Sequence, residues 1–200
     1  MTAAALRAKK VEGRGSRVEG QRAGEEKVEG RGSIIEGQSL SEKESGSLDA
    51  AILDRIVDAA IGRWAKSGAE VERLRTVRFA VSDLADDYLG LAAPGVIWID
   101  RDAAGYGWFV DETPTDNSEF VETESGCVAR PESSAFEHID LLTVLEHELG
   151  HVLGLEHSDG KDGSHHLMEL TLAIGVRELA SALDIDSLLA SEDWEELFWR

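Results

Sequence analysis

Residues 147–157 read HELGHVLGLEH. Leu142, Leu145, Leu149, Val152 and Leu153 recur at helical spacing through this stretch, so the periodicity predicts a helix over about Ile139–Leu153. His147 and His151 are four apart, which stacks both imidazoles on one helical face where they can share one ion. Gly154 can take a positive φ, end the helix and turn the chain sharply. That turn brings His157 back as a third nitrogen ligand. Neutral imidazole suits Zn²⁺ at about 2.0–2.1 Å, and three protein ligands leave a fourth position for water, the mark of a catalytic zinc. Glu148 lies off the ligand row but beside the ion. A carboxylate there can take a proton from zinc-bound water, whose pKa the metal lowers to roughly 7. The expected chemistry is attack of that water on a peptide carbonyl, with Glu148 then passing the proton to the leaving amine. HExxH alone occurs on ordinary helices; three His, one Glu and one Gly in this extended order are much more specific.

Outward from this helix the chain reads as mixed α and β structure. Leu53, Ile56, Val57, Ala60, Ile61 and Trp64 form the stripe of an amphipathic helix, with Ser47 to cap it, Asp49 in its first turn and Gly68 at its end. Thr76–Val81 alternates as a strand, Val96–Ile99 is a short apolar run, and Trp108–Val110 is a third strand candidate. Residues 111–135 are polar and rich in turn formers, which predicts a long surface loop. Gly175–Trp199 reads as one or two helices with Leu188, Leu189, Trp194, Leu197 and Phe198 as the apolar set. This order indicates an α+β domain with a mixed sheet.

The composition excludes several functions. The chain has 200 residues, with 40 Asp and Glu against 20 Lys and Arg, a net charge of -20. Nucleic-acid binding needs a basic footprint, so it is not expected. No run of about 18 apolar residues offers a membrane span, and one Cys cannot form an internal disulfide. The charge is uneven: residues 1–48 hold nine basic and eight acidic side chains, whereas residues 49–200 hold 11 and 32. The first 48 residues have eight Gly and no aromatic residue, and VEGRGSRVEGQ at Val11–Gln21 returns as VEGRGSIIEGQ at Val28–Gln38. Such a segment buries too little apolar surface to offset its ordering entropy. Residues 1–46 are therefore expected to be a disordered, repetitive tail or linker, and 47–200 the folded domain.

HELGHVLGLEH followed by Met168 resembles the metzincin zinc endopeptidases. Ser158 after the third His makes the stretch most similar to the matrixin branch. Residues 97–120, IWIDRDAAGYGWFVDETPTDNSEF, and the lead Asp140–Val144 resemble matrixin-like modules of large bacterial exported proteins. The resemblance covers about residues 48–175. It implies a mixed, twisted five-stranded sheet, a long zinc-binding active-site helix, C-terminal helices, and Met168 as an apolar floor beneath the ligands. It also implies one catalytic Zn²⁺, a protein or peptide substrate, and an extracellular or cell-surface setting, although no secretory signal opens the chain. An edge strand would hold substrate in extended form, a role that falls on part of Gly105–Val110 unless that stretch is a plain buried strand. The specificity pocket would be built by Glu169–Arg177, with Arg177 at its base or in a surface ion pair.

Other polar residues carry weaker expectations. Cys127 lies inside the domain, where a thiolate could impose latency or an inert thiol could pack. Asp159 and Asp162 could attract calcium, though their spacing fits no standard loop. His138 reads as a surface residue, and His165 and His166 as solvated loop residues or as groups that touch substrate or compete for metal. Two other functions remain open on sequence: a zinc-stabilised module serving in adhesion or self-processing, and a zinc hydrolase of a non-peptide amide or ester.

Overall fold

The computed structural model describes residues 5–9, 48–123, 126–158 and 166–190, all within a compact unit formed by Met1–Lys10 and Gly46–Arg200. The repeats, Ser47, Asp159, Asp162, His165, Trp194, Leu197 and Phe198 lie outside the described residues.

Helix α1, Ala50–Ser67, buries the expected stripe from Leu53 to Trp64. Its N-cap is Asp49, whose carboxylate accepts from the Ala51 N–H at 2.7 Å. Gly68 closes the helix in the left-handed region, at φ 101°. The Trp64 indole N–H donates to the Glu146 carbonyl at 3.0 Å, which fixes α1 against the metal-motif helix α2, Leu141–Leu153.

Strand β1 is Arg7–Ala8. Strands β2, Arg78–Ser82, β3, Gly90–Ala93, and β4, Val96–Asp100, form one sheet with β4 in the middle, parallel to β2 and antiparallel to β3. Ile97 and Ile99 are fully buried while Trp98 between them is exposed, the period of two that a strand imposes. Strand β5, Trp108–Phe109, pairs in parallel with β8, Ile139–Asp140. Strands β6, Phe120–Thr123, and β7, Gly126–Ala129, form a hairpin, and β10, Val176–Arg177, joins β7. Strand β9, Thr171–Leu172, pairs in parallel with β1. Helix α3 spans Ala182–Ala190. The mixed α+β class is thus as expected, with the described strands divided among four small sheets.

Four expectations need correction. Residues 111–135 are not simply a surface loop, because β6 and β7 lie within them. Phe120, Cys127 and Ala129 point inward to a second apolar cluster with Phe109 and Ala135, while Val121 and Val128 point outward. The region from Gly175 opens with a strand before α3. The presumed tail is ordered at Ala5–Lys9, where β1 pairs with β9 and Leu6 is 2% exposed. Arg177 lines neither a pocket base nor the surface. It is fully buried, pairing with Asp111 at 2.8 Å and with both oxygens of Asp140 at 2.8 and 2.9 Å. Its guanidinium lies 4.3 Å from the Phe120 ring centroid. Asp140 is also the N-cap of α2, accepting from the Thr143 N–H at 3.1 Å and its hydroxyl at 2.7 Å. One carboxylate therefore fixes both the start of α2 and the strand β10.

Candidate metal centre

Every residue of α2 from Leu141 to Gly150 is buried, so the helix presents His147 and Glu148 from inside the molecule. At its end Gly154 takes φ 108° and donates its N–H to the carbonyls of Gly150 and His151, both at 3.1 Å. A side chain there would be strained in this left-handed conformation. The turn aims the Leu155 carbonyl at His151, whose Nδ1 donates to it at 2.8 Å, and returns His157 to the helix. His147 Nδ1 donates to the Leu167 carbonyl at 2.6 Å.

These two bonds decide the protonation of both rings. A carbonyl only accepts, so each Nδ1 carries the proton and each Nε2 presents a lone pair. Yet the Nε2 atoms of His147 and His151 are 3.1 Å apart, with His157 Nε2 at 3.3 and 3.1 Å from them. Two lone pairs facing at that distance repel unless a cation lies between them. Nitrogens bound tetrahedrally at about 2.0–2.1 Å sit about 3.3–3.4 Å apart, close to the observed triangle. The donor set therefore fits zinc. Burial, with the neighbouring imidazoles, lowers the His147 pKa to about 3, and burial lowers those of His151 and His157. All three rings are thus held neutral, the form that binds metal.

Glu148 is fully buried beside the cluster. Its Oε1 accepts from the Leu6 N–H at 3.2 Å, and Oε2 has no hydrogen-bond partner among the described residues. Burial pushes its pKa up to about 8, against the pull of the Leu6 and Ala92 N–H groups. The strand beside it is β3: a Cβ on Gly90 would lie 2.7 Å from the Glu148 Cγ and Oε1. The extended strand that flanks this carboxylate is consequently Gly90–Ala93. Of the two readings open for Gly105–Val110, a substrate-holding edge or a plain buried strand, the pairing of Trp108–Phe109 with the lead into α2 fits the second.

Met168 is 2% exposed, and a Cβ on Gly150 would meet its Sδ at 2.7 Å. Its carbonyl accepts from the Ser158 N–H at 2.9 Å. The motif residues His147, His151, His157, Glu148, Gly154 and Met168 are thus brought together. Cys127 is not among them. It packs in the second cluster, where burial and then the charges of Glu122 and Glu178 push its thiol pKa up. His138 is half-buried, with Nδ1 donating to the Ser134 carbonyl at 2.7 Å, and the backbone of His166 opens a 3-10 turn ending at Met168.

The family model described as Matrixin matches residues 40–178. The chain belongs to the matrixin family. Matrixins are zinc metallopeptidases, and the His147, His151 and His157 triad is a group able to hold a metal ion. No curated protein and no solved structure matches the chain.

Sequence reasoning missed Gly90, Gly150, Asp140 and Leu6. The two glycines have a signal in hindsight: each stands where a neighbouring side chain needs the space of a Cβ. The Leu155 and Leu167 carbonyls have none, because main-chain acceptors carry no residue code.

Proposed function

We propose that this matrixin is a zinc-dependent endopeptidase that cuts an extended peptide beside Glu148. The observation that carries the reading is the pair of lone-pair nitrogens of His147 and His151 facing at 3.1 Å, each oriented by a main-chain carbonyl. His147, His151 and His157 would hold a single Zn²⁺, which supplies a Lewis acid for activating water and polarising a carbonyl. Glu148 holds and moves the proton. Its Oε2 is unengaged, and its buried surroundings favour taking a proton up. Because α2 is anchored at both ends, by Asp140 and Gly154, the carboxylate needs no rearrangement to act.

The same reading takes Met168 as the floor of the site, α2 as the active-site helix, and the small sheets as parts of one twisted family sheet. It takes 47–200 as the peptidase domain. Matrixins typically act outside the cell, and the proposal extends that setting to this chain. No helix among the described residues is long and apolar enough to cross a membrane.

Glu148→Gln tests the reading. It should lower peptide hydrolysis by at least about a hundredfold while one equivalent of zinc stays bound. Undiminished cleavage would remove Glu148 from the mechanism.

A further inference from the structure

The segment Ala5–Lys9 runs between Asp87–Leu89, which leads into β3, and Leu170–Leu172, which includes β9. On one side Leu89 donates its N–H to the Leu6 carbonyl at 2.9 Å, and Ala8 donates to the Asp87 carbonyl at 2.8 Å. This pairing is antiparallel, with Arg7 opposite Tyr88. On the other side Arg7 and Lys9 donate to the Leu170 and Leu172 carbonyls at 3.0 and 2.7 Å, in parallel register. Leu170 and Leu172 belong to the segment after Met168 expected to build the specificity pocket. The Leu6 side chain is sealed in the core, and its N–H is the group that reaches Glu148.

From this we propose that Ala5–Lys9 is a tethered pseudo-substrate, resting on the peptidase reading above. The segment fills the peptide groove by main-chain pairing on both edges, the mode by which an extended peptide adds to a sheet. Leu6 takes the place of the residue on the amine side of the bond to be cut, since its nitrogen is the one that meets the proton carrier. A peptide lengthened N-terminally in this register would run along Gly90–Ala93. It would head towards a cleft of about 490 Å³ lined by Ala92, Ala93, Pro94 and His151. Charge favours the same occupant. Arg7 and Lys9 are basic, whereas residues 49–200 carry 32 acidic against 11 basic side chains. The Arg7 guanidinium covers the Tyr88 ring at 4.3 Å and donates to its hydroxyl. The groove of this chain is therefore closed by its own N-terminal segment, and a substrate must displace it.

The experiment compares the full chain with Leu6→Asp, which expels the segment, and Leu6→Met, which keeps an apolar anchor. The probe is a labelled acetyl-AAALRAK peptide, read by fluorescence anisotropy on metal-free protein. Leu6→Asp should bind it at least tenfold more tightly than the parent, with Leu6→Met close to the parent. Hydrogen exchange on the parent alone should show slow amides at Arg7, Ala8 and Lys9, which covers the case in which Leu6→Asp does not fold. Equal peptide affinity in folded parent and Leu6→Asp, or unprotected amides at residues 7–9 in the parent, would overturn the proposal. Zinc-loaded cleavage separates the two readings. If neither form cuts peptides yet the binding difference holds, the tether stands and the peptidase reading falls. Equal cleavage with equal binding does the reverse.

Discussion

Met168 and Gly150 touch so closely that any Cβ at position 150 would lie 2.7 Å from the Met168 sulfur, with the Trp64 ring 3.3 Å away on another side. In an ordinary helix interior Gly→Ala stabilises by about 1 kcal/mol. Here overpacking, typically about 1–3 kcal/mol, opposes that gain. Gly150→Ala should therefore be destabilising or neutral in the parent and stabilising in a Met168→Ala background. Urea unfolding of the four chains of that double-mutant cycle reads the change of sign; the same sign in both backgrounds would mean that the contact carries no energy.

Metal removal should be felt as lost stability. A ligand present at a hundred times its dissociation constant stabilises the folded state by about 2.7 kcal/mol, which for a chain of this size corresponds to roughly 5–10 °C in Tm. Chelation should lower Tm by about that amount in the parent. His151→Ala, lacking one of three ligands, should show little further loss on chelation. Calorimetry with and without chelator makes the comparison.

Arg177→Met should destabilise strongly, by about 3–5 kcal/mol, because it leaves Asp111 and Asp140 as buried charges without their cation. The Asp140 cap of α2 should be disturbed with it. A change near zero in chemical denaturation would show that water reaches the two carboxylates and replaces the guanidinium.

Cys127 should resist alkylation in the native state. Burial, then Glu122 and Glu178, hold its thiol pKa above the ordinary value, so the thiolate stays scarce as pH rises through the usual thiol range, and access is closed as well. Iodoacetamide at pH 8–9 should label the denatured chain readily and the native chain slowly, measured by intact mass. Rapid native labelling would place the thiol in solvent.

The histidine cluster was legible because its information is local: a spacing of four along a helix, a glycine to turn the chain, and a third histidine just beyond. Helix α1 was legible for the same reason, its six buried residues standing at helical intervals. Strand β3 was not. Its sequence is GLAA: Glu148 packs directly on Gly90, and with Leu91 as the one large residue the strand shows no alternating pattern. Strands β6 and β7 were hidden because apolar Val121 and Val128 stand on their outer face, so apolar and polar residues do not alternate along them. Arg177 was misread because a charge seldom lies fully buried without partners, and both of its carboxylates come from distant segments. The seat of Ala5–Lys9 combines main-chain bonds, which any sequence can make, with one buried leucine that has no periodic pattern around it to announce it.

The Asp140–Arg177 pair has a consequence beyond stability. It pins one end of the segment that follows Met168, and the Met168–Gly150 contact pins the other. Between those rivets the exposed Leu170 and Thr171 can change without disturbing the core that holds the histidines. On the peptidase reading, the choice of substrate can thereby drift in evolution, or be redesigned, while the histidine triad stays in place.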